Sequence, residues 1–274
     1  VDAENFKVNG GQGSDGQVLT STGSGVAFED AAGGGPTFKT FGTSSIMVGD
    51  DATGTIDAAN YNTGLGVDVF AALTSGDGNT AVGFQTLAAN TSGGKNTAVG
   101  QDALKLNTTG IENTAFGYKC LDAVVTGNYN CGFGKSTLGG TTGSNNSAFG
   151  AGSMASNVGG GDNTAFGYAA LNGNTSAVKN TAVGYNAMVA NTTGTANAAL
   201  GALALDATTS GSYNTAIGYG TLTANTTGHD NTALGINSLA ANTTAHYNTA
   251  VGSSALEGCT TGEYNTALGQ LSMG

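Results

Sequence analysis

The sequence predicts an all-β fold: a repetitive β-solenoid, of the β-roll or β-helix kind, with one 17-residue coil per repeat. Three observations carry this. A short string, Asn-Thr-Ala-apolar-Gly, recurs along most of the chain. Its spacing is nearly constant. The composition is turn-rich and weakly charged, with 48 Gly, one Pro and 9% charged residues in 274.

The string starts at Asn79, Asn96, Asn113, Asn163, Asn180, Asn214, Asn231, Asn248 and Asn265, with small variations within it. Close variants start at Asn62, Asn130, Asn146 and Asn197, and a degenerate copy at Ser45. The step is 17 residues, except for 16 between Asn130 and Asn146. A fixed period is the mark of a stacked repeat architecture. Seventeen residues are too few for a helix pair, and Asn-Thr-Thr-Gly is a poor helix sequence. They suit one coil of two or three short strands joined by tight turns, with Asn, Gly and Ser supplying the turns.

A consensus unit reads Asn-Thr-Ala-apolar-Gly-Tyr-x-Ala-Leu-x-Ala-Asn-Thr-Thr-Gly-x-x. Stacking coils puts each place of the unit in register at the strand spacing of ~4.8 Å, so each place becomes a column. The first place is Asn in 13 of 14 copies, which predicts an amide ladder (Asn79, Asn96, Asn113). The fourth is always apolar (Val82, Val99, Phe116) and the fifth always Gly (Gly83, Gly100, Gly117). From the second copy on, the ninth is large and apolar (Leu87, Leu104, Leu121). The constant Gly marks a bend or a close approach of two backbones.

The chain divides into residues 45–274, a solenoid of fourteen repeats with the last one cut short, and residues 1–44, a small β or linker segment for attachment or capping. In the latter, Phe6, Val8, Val18, Leu19, Val26 and Phe28 are spaced by Gly and Ser, and Gly33–Pro36 reads as a linker or turn. The chain begins at Val1 and ends ten residues into a repeat, so further sequence is expected beyond it. Two large apolar columns per coil make a thin core for a lone chain. The expectation is therefore a homotrimer, intertwined or side by side, with one column inside each coil and the other between chains.

Seven Lys, no Arg and 18 acids give a net charge of -11. That excludes binding driven by phosphate neutralisation, which needs a basic face. It also disfavours anionic membrane surfaces. No apolar run reaches the ~18 residues of a membrane span. Neither nucleic acid nor membrane insertion is expected, and no cofactor. Cys120, Cys131 and Cys259 have no metal-type or disulfide-framework spacing and read as small fillers.

Some columns invite functional readings. His229 and His246, with Glu263 next, share the sixteenth place and form a candidate divalent-metal row, although a straight row does not surround an ion. Tyr213, Tyr247 and Tyr264, at the seventeenth, are candidate sugar or receptor contacts. Thr pairs such as Thr108-Thr109 and Thr226-Thr227 suggest an ice-binding face, with turn chemistry as the simpler reading. Asn-x-Ser/Thr sites stand at Asn90, Asn107, Asn174, Asn191, Asn225 and Asn242. The Gly-rich turns lack a Walker pattern. With two His in one turn column and no clustered carboxylates, neither a catalytic triad nor a paired-acid site can be nominated.

The unit, as in Asn180 to Gly194 and Asn214 to Gly228, resembles repeats of bacteriophage tail-fibre and related surface-fibre proteins. Many such fibres end in a self-cleaving intramolecular chaperone domain, and no such domain is visible in this sequence. Gly13 to Asp30 also resembles a segment of phage tail fibres. The Asn-Thr-Ala-Val-Gly core is similar to head repeats of trimeric autotransporter adhesins, whose repeats are shorter. The resemblance implies a non-enzymatic, homotrimeric fibre shaft on a virion or extracellular surface. Its partners would be itself, other virion or filament proteins at its ends, and a host surface glycan or receptor. The alternatives are a bacterial adhesin or surface filament, and a glycan- or ice-binding solenoid.

Overall fold

The computed structural model describes residues 59–140 and 142–273, and the backbone of four strands before them. β1 (Gln17–Ser21) pairs antiparallel with β2 (Val26–Asp30). β3 (Thr37–Lys39) pairs antiparallel with β4 (Ile46–Gly49), at one edge of a fifteen-stranded sheet. From β4 onward the strands run parallel, one per coil, from β5 (Thr63–Leu65) to β17 (Thr266–Leu268). Phe6, Val8 and Gly33–Pro36 lie outside the described residues.

The register is the one the repeats predict. Thr80, Ala81 and Val82 pair with Thr97, Ala98 and Val99. Val99 faces Phe116, and Phe116 faces Phe133. The 16-residue coil keeps step too, with Phe133 opposite Phe149.

One expectation is corrected. Each described coil holds a single three-residue strand, not two or three. The reason lies in the backbone. At the seventh, ninth and seventeenth places the non-Gly residues have φ between 49° and 62°, in the left-handed region. An extended strand does not pass through such residues, so most of the coil is turn. The turns still bond between coils, in both directions along the axis. Gln85 N–H donates to the carbonyl of Val67 at 2.9 Å, and Leu87 N–H to that of Ala103 at 3.1 Å. β-branched side chains are the least tolerant of positive φ. No Val, Ile or Thr occupies any described position in these three columns.

The strand's alternation divides the side chains. The second place points out, the third in and the fourth out. The core is therefore built from Ala at the third place, small residues at the eighth and Leu, Met or Phe at the ninth. The fifth-place Gly has φ between 117° and 148°. A Cβ on Gly83 would stand 2.7 Å from the carbonyl oxygen of Gly100, so bend and close approach coincide.

Two Asn columns line the same interior. At all twelve junctions from Asn62 to Asn265 the backbone N–H of one first-place Asn donates to Oδ1 of the Asn before it. Asn96 shows the full pattern. Its N–H and Nδ2 both donate to Asn79 Oδ1, at 3.0 and 3.1 Å, and Nδ2 also donates to the carbonyl of Gly110 at 2.8 Å. The side chain thus satisfies a backbone donor that would otherwise be orphaned in the core. The twelfth-place Asn closes its own turn, as when Asn90 Nδ2 donates to the Gly93 carbonyl at 2.9 Å.

Candidate functional site

Among the described residues, the fourth place is apolar in every coil. Leu65, Phe166, Leu200, Ile217, Leu234 and Leu268 are exposed, and the other described members are half-buried. Phe116, Phe133, Phe149 and Phe166 stack along the axis, with centroids 4.9, 4.8 and 5.2 Å apart. The ninth-place column is its opposite: Leu87, Leu104 and Leu121 are fully enclosed. Of the two apolar columns, one fills the coil and the other lies on its outside.

The candidate metal residues come together as a row. His229 and His246 stack with centroids 3.6 Å apart. His246 Nδ1 accepts the His229 backbone N–H at 3.0 Å, and His229 Nδ1 faces Asp230 Oδ2 at 2.8 Å. His246 Nε2 stands 3.9 Å from Glu263 Oε1. A metal needs lone pairs converging from several sides. Here the rings lie one over the other and each Nδ1 is already engaged. Among the described residues no group of three His, Cys, Asp or Glu is arranged to hold an ion.

Tyr213, Tyr247 and Tyr264 are all exposed. Tyr247 and Tyr264 stack at 4.9 Å. Asp230, the intervening member of the column, separates Tyr213 from them. The three do not make one continuous platform. The first Thr row is also accounted for. The hydroxyls of Thr108, Thr192 and Thr226 donate to the thirteenth-place carbonyls of Val125, Thr209 and Thr243, at 2.9–3.1 Å. Those protons are spent on the stack, which favours the turn reading over water ordering. The six Asn singled out above are fully buried twelfth-place residues, closed to a glycosylating enzyme in the folded chain; a seventh Asn-x-Ser site, Asn145-Asn146-Ser147, is exposed at Asn145.

Cys120 is buried at the eighth place. Burial pushes its thiol up to about 12, against a small lowering by a backbone hydrogen bond from Phe116. Burial also raises Cys131. A thiol held protonated is a poor nucleophile.

The sixth-place column was not singled out from the sequence, although its Tyr is part of the consensus. Phe84, Tyr118, Tyr168, Tyr185 and Tyr219 all stand exposed there. Their place two residues after an outward-facing apolar side chain was the available signal. Comparisons of the chain with protein-family models, with curated proteins and with solved structures return no match.

Proposed function

We propose that this chain is the rigid shaft of an extracellular appendage, a virion tail fibre, in which three copies pack side by side through their fourth-place columns. Its work is mechanical and non-enzymatic: to hold a recognition tip at a distance. The observation that carries this reading is the uncharged apolar column left outside every coil. Thirteen apolar side chains, from Leu65 to Leu268, stand in one unbroken row along the described coils, and a contiguous exposed apolar patch marks an association surface. Thirteen parallel steps at ~4.8 Å make a rod of roughly 60 Å. Ladders that tie each coil to both neighbours suit stiffness, since stability in a stack is shared between adjacent units. The number three rests on the resemblance to trimeric fibre repeats; the exposed column supports association as such.

Electron microscopy of the particle that carries the protein, labelled with antibody to the solenoid, tests the reading. Label along fibres projecting from a virion is expected. Label on filaments of a bacterial envelope would assign the shaft to an adhesin instead. Label on isolated, unassociated chains would refute the shaft altogether.

A further inference from the structure

The sixth-place wall has a notch. Lys135, Ala151 and Tyr168 occupy that place in three successive coils. Two strand steps separate the outer pair, roughly 10 Å. Since Ala151 reaches only to its Cβ, a cleft of about 270 Å³ opens between them. Ala151 and Gly152 line it with small residues, and Ser136 and Asn172 add a hydroxyl and an amide. Asn172 is fixed, its Nδ2 donating to the Gly152 carbonyl at 2.7 Å.

The two ends of the cleft differ in chemistry. Tyr168 stacks on Tyr185 at 5.7 Å and 12°. Tyr185 belongs to the coil beyond, so it backs the ring from the side away from Ala151. Lys135 stands at the other end. Among the described residues, Lys95 pairs with Glu112, Lys105 with Asp102, and Lys119 lies over the Tyr118 ring. No described carboxylate lies within ion-pair distance of Lys135, or of Lys179, which does not line the cleft. A chain of net charge -11 thus leaves a cation uncompensated in a cleft with an aromatic wall.

We propose that this cleft binds one carboxylated pyranose, a uronate or sialate residue within a longer saccharide. The apolar face of the sugar lies on Tyr168, its carboxylate meets Lys135, and Ser136 and Asn172 serve its hydroxyls. A bare anion would need Lys135 and make no use of the ring. A neutral sugar would use the ring and leave the cation idle. The combination of aromatic face, cation and small floor fits a ligand carrying both chemistries. A slot one side chain wide and open at the surface lets the saccharide chain continue on either side. The lining residues belong to the sixth, seventh and tenth places, not to the fourth-place column. Saccharide binding is therefore read out separately from the oligomeric state.

Saturation-transfer NMR on the full chain tests this, with uronate and sialate oligosaccharides, their neutral counterparts and inorganic phosphate as probes. Transfer to an acidic oligosaccharide is expected, with none to the neutral ones and no competition by phosphate at equal concentration. Lys135→Gln weakens binding about tenfold and removes its salt dependence. Ala151→Tyr, which installs the consensus residue and fills the notch, abolishes binding while melting as the parent does. Silence toward every acidic probe would overturn the proposal. So would undiminished binding by Ala151→Tyr, or by Lys135→Gln, an exposed change that spares the fold. Equal displacement by phosphate would reduce the site to an anion contact and overturn the sugar assignment.

Discussion

Cys120 and Gly132 divide one space between two neighbouring coils. A Cβ on residue 132 would stand 2.6 Å from the Cys120 sulfur and closer still to Cδ1 of Leu121. From the second copy on, the other third-place residues are Ala, save Gly64, while Cys120 occupies a place that most coils fill with Ala, Ser or Thr. The larger side chain in one coil is matched by a missing methyl in the next. Gly132→Ala alone should destabilise the chain by about 1–3 kcal/mol, the usual cost of overpacking. Adding Cys120→Ala restores the commonest pairing and should recover most of that loss. A double-mutant cycle by denaturant unfolding reads the coupling, expected at about 1 kcal/mol or more.

The ninth place combines full burial with left-handed backbone, and the two constraints can be separated. Leu205 is fully enclosed and has φ of 54°. Leu205→Met keeps volume and an unbranched Cβ, and should cost less than about 1.5 kcal/mol. Leu205→Ile keeps volume but branches at Cβ, which adds backbone strain of about 1–3 kcal/mol. The difference between the two melting midpoints is the quantity to measure. Equal midpoints would contradict the left-handed assignment.

Asn163 sits mid-ladder. Its Oδ1 accepts from Asn180 N–H at 3.0 Å and from Asn180 Nδ2 at 3.3 Å. Its own Nδ2 donates to Asn146 Oδ1 and to the Ala177 carbonyl. Asn163→Ala leaves the Asn180 N–H buried without that acceptor and should cost about 2–4 kcal/mol. Amide exchange should identify the Asn180 N–H as the newly unprotected site.

Burial raises the Asp206 carboxyl above its ordinary 3.8, opposed by hydrogen bonds from the backbone N–H groups of Ala207 and Asp206. In the window between 3.8 and the raised value the native chain holds this proton more tightly than the unfolded chain. Stability from this group therefore falls as pH rises through that window. Asp206→Asn removes this contribution to the slope and should melt above the parent at neutral pH. Melting curves of both proteins from about pH 4 to about pH 8 give the difference directly.

The Cys120 thiol, raised to about 12, should resist alkylation in the native state and react only as its coil opens. Its labelling rate should rise with denaturant in step with global unfolding, measured by mass spectrometry. Native labelling at the rate of a free thiol would contradict its burial.

The period, the parallel register and the buried amide ladder were legible because each depends on one residue type at one place. Asn79, Asn96 and Asn113 stack as their spacing requires. The excess of predicted strands came from reading Thr-to-Leu as partly alternating. The overlooked signal was a forbidden residue: Val and Ile occur freely at the fourth place, as in Val99 and Ile217, and never at the ninth. That contrast marks extended backbone at one and left-handed backbone at the other. The notch at Ala151 was harder to see, because it is an omission from a column whose outward direction only the fold reveals.

Sedimentation of the native chain, beside a variant carrying Phe133→Ser and Phe149→Ser, bears most directly on the side-by-side shaft. Both rings lie on the outside of the coil, so the variant should keep the β signal of the parent. The native chain should sediment at three times the mass of one chain, and the variant should dissociate at a higher protein concentration than the parent. A native chain that sediments alone at neutral pH, or a variant that associates as tightly as the parent, would contradict the burial of the fourth-place column between chains.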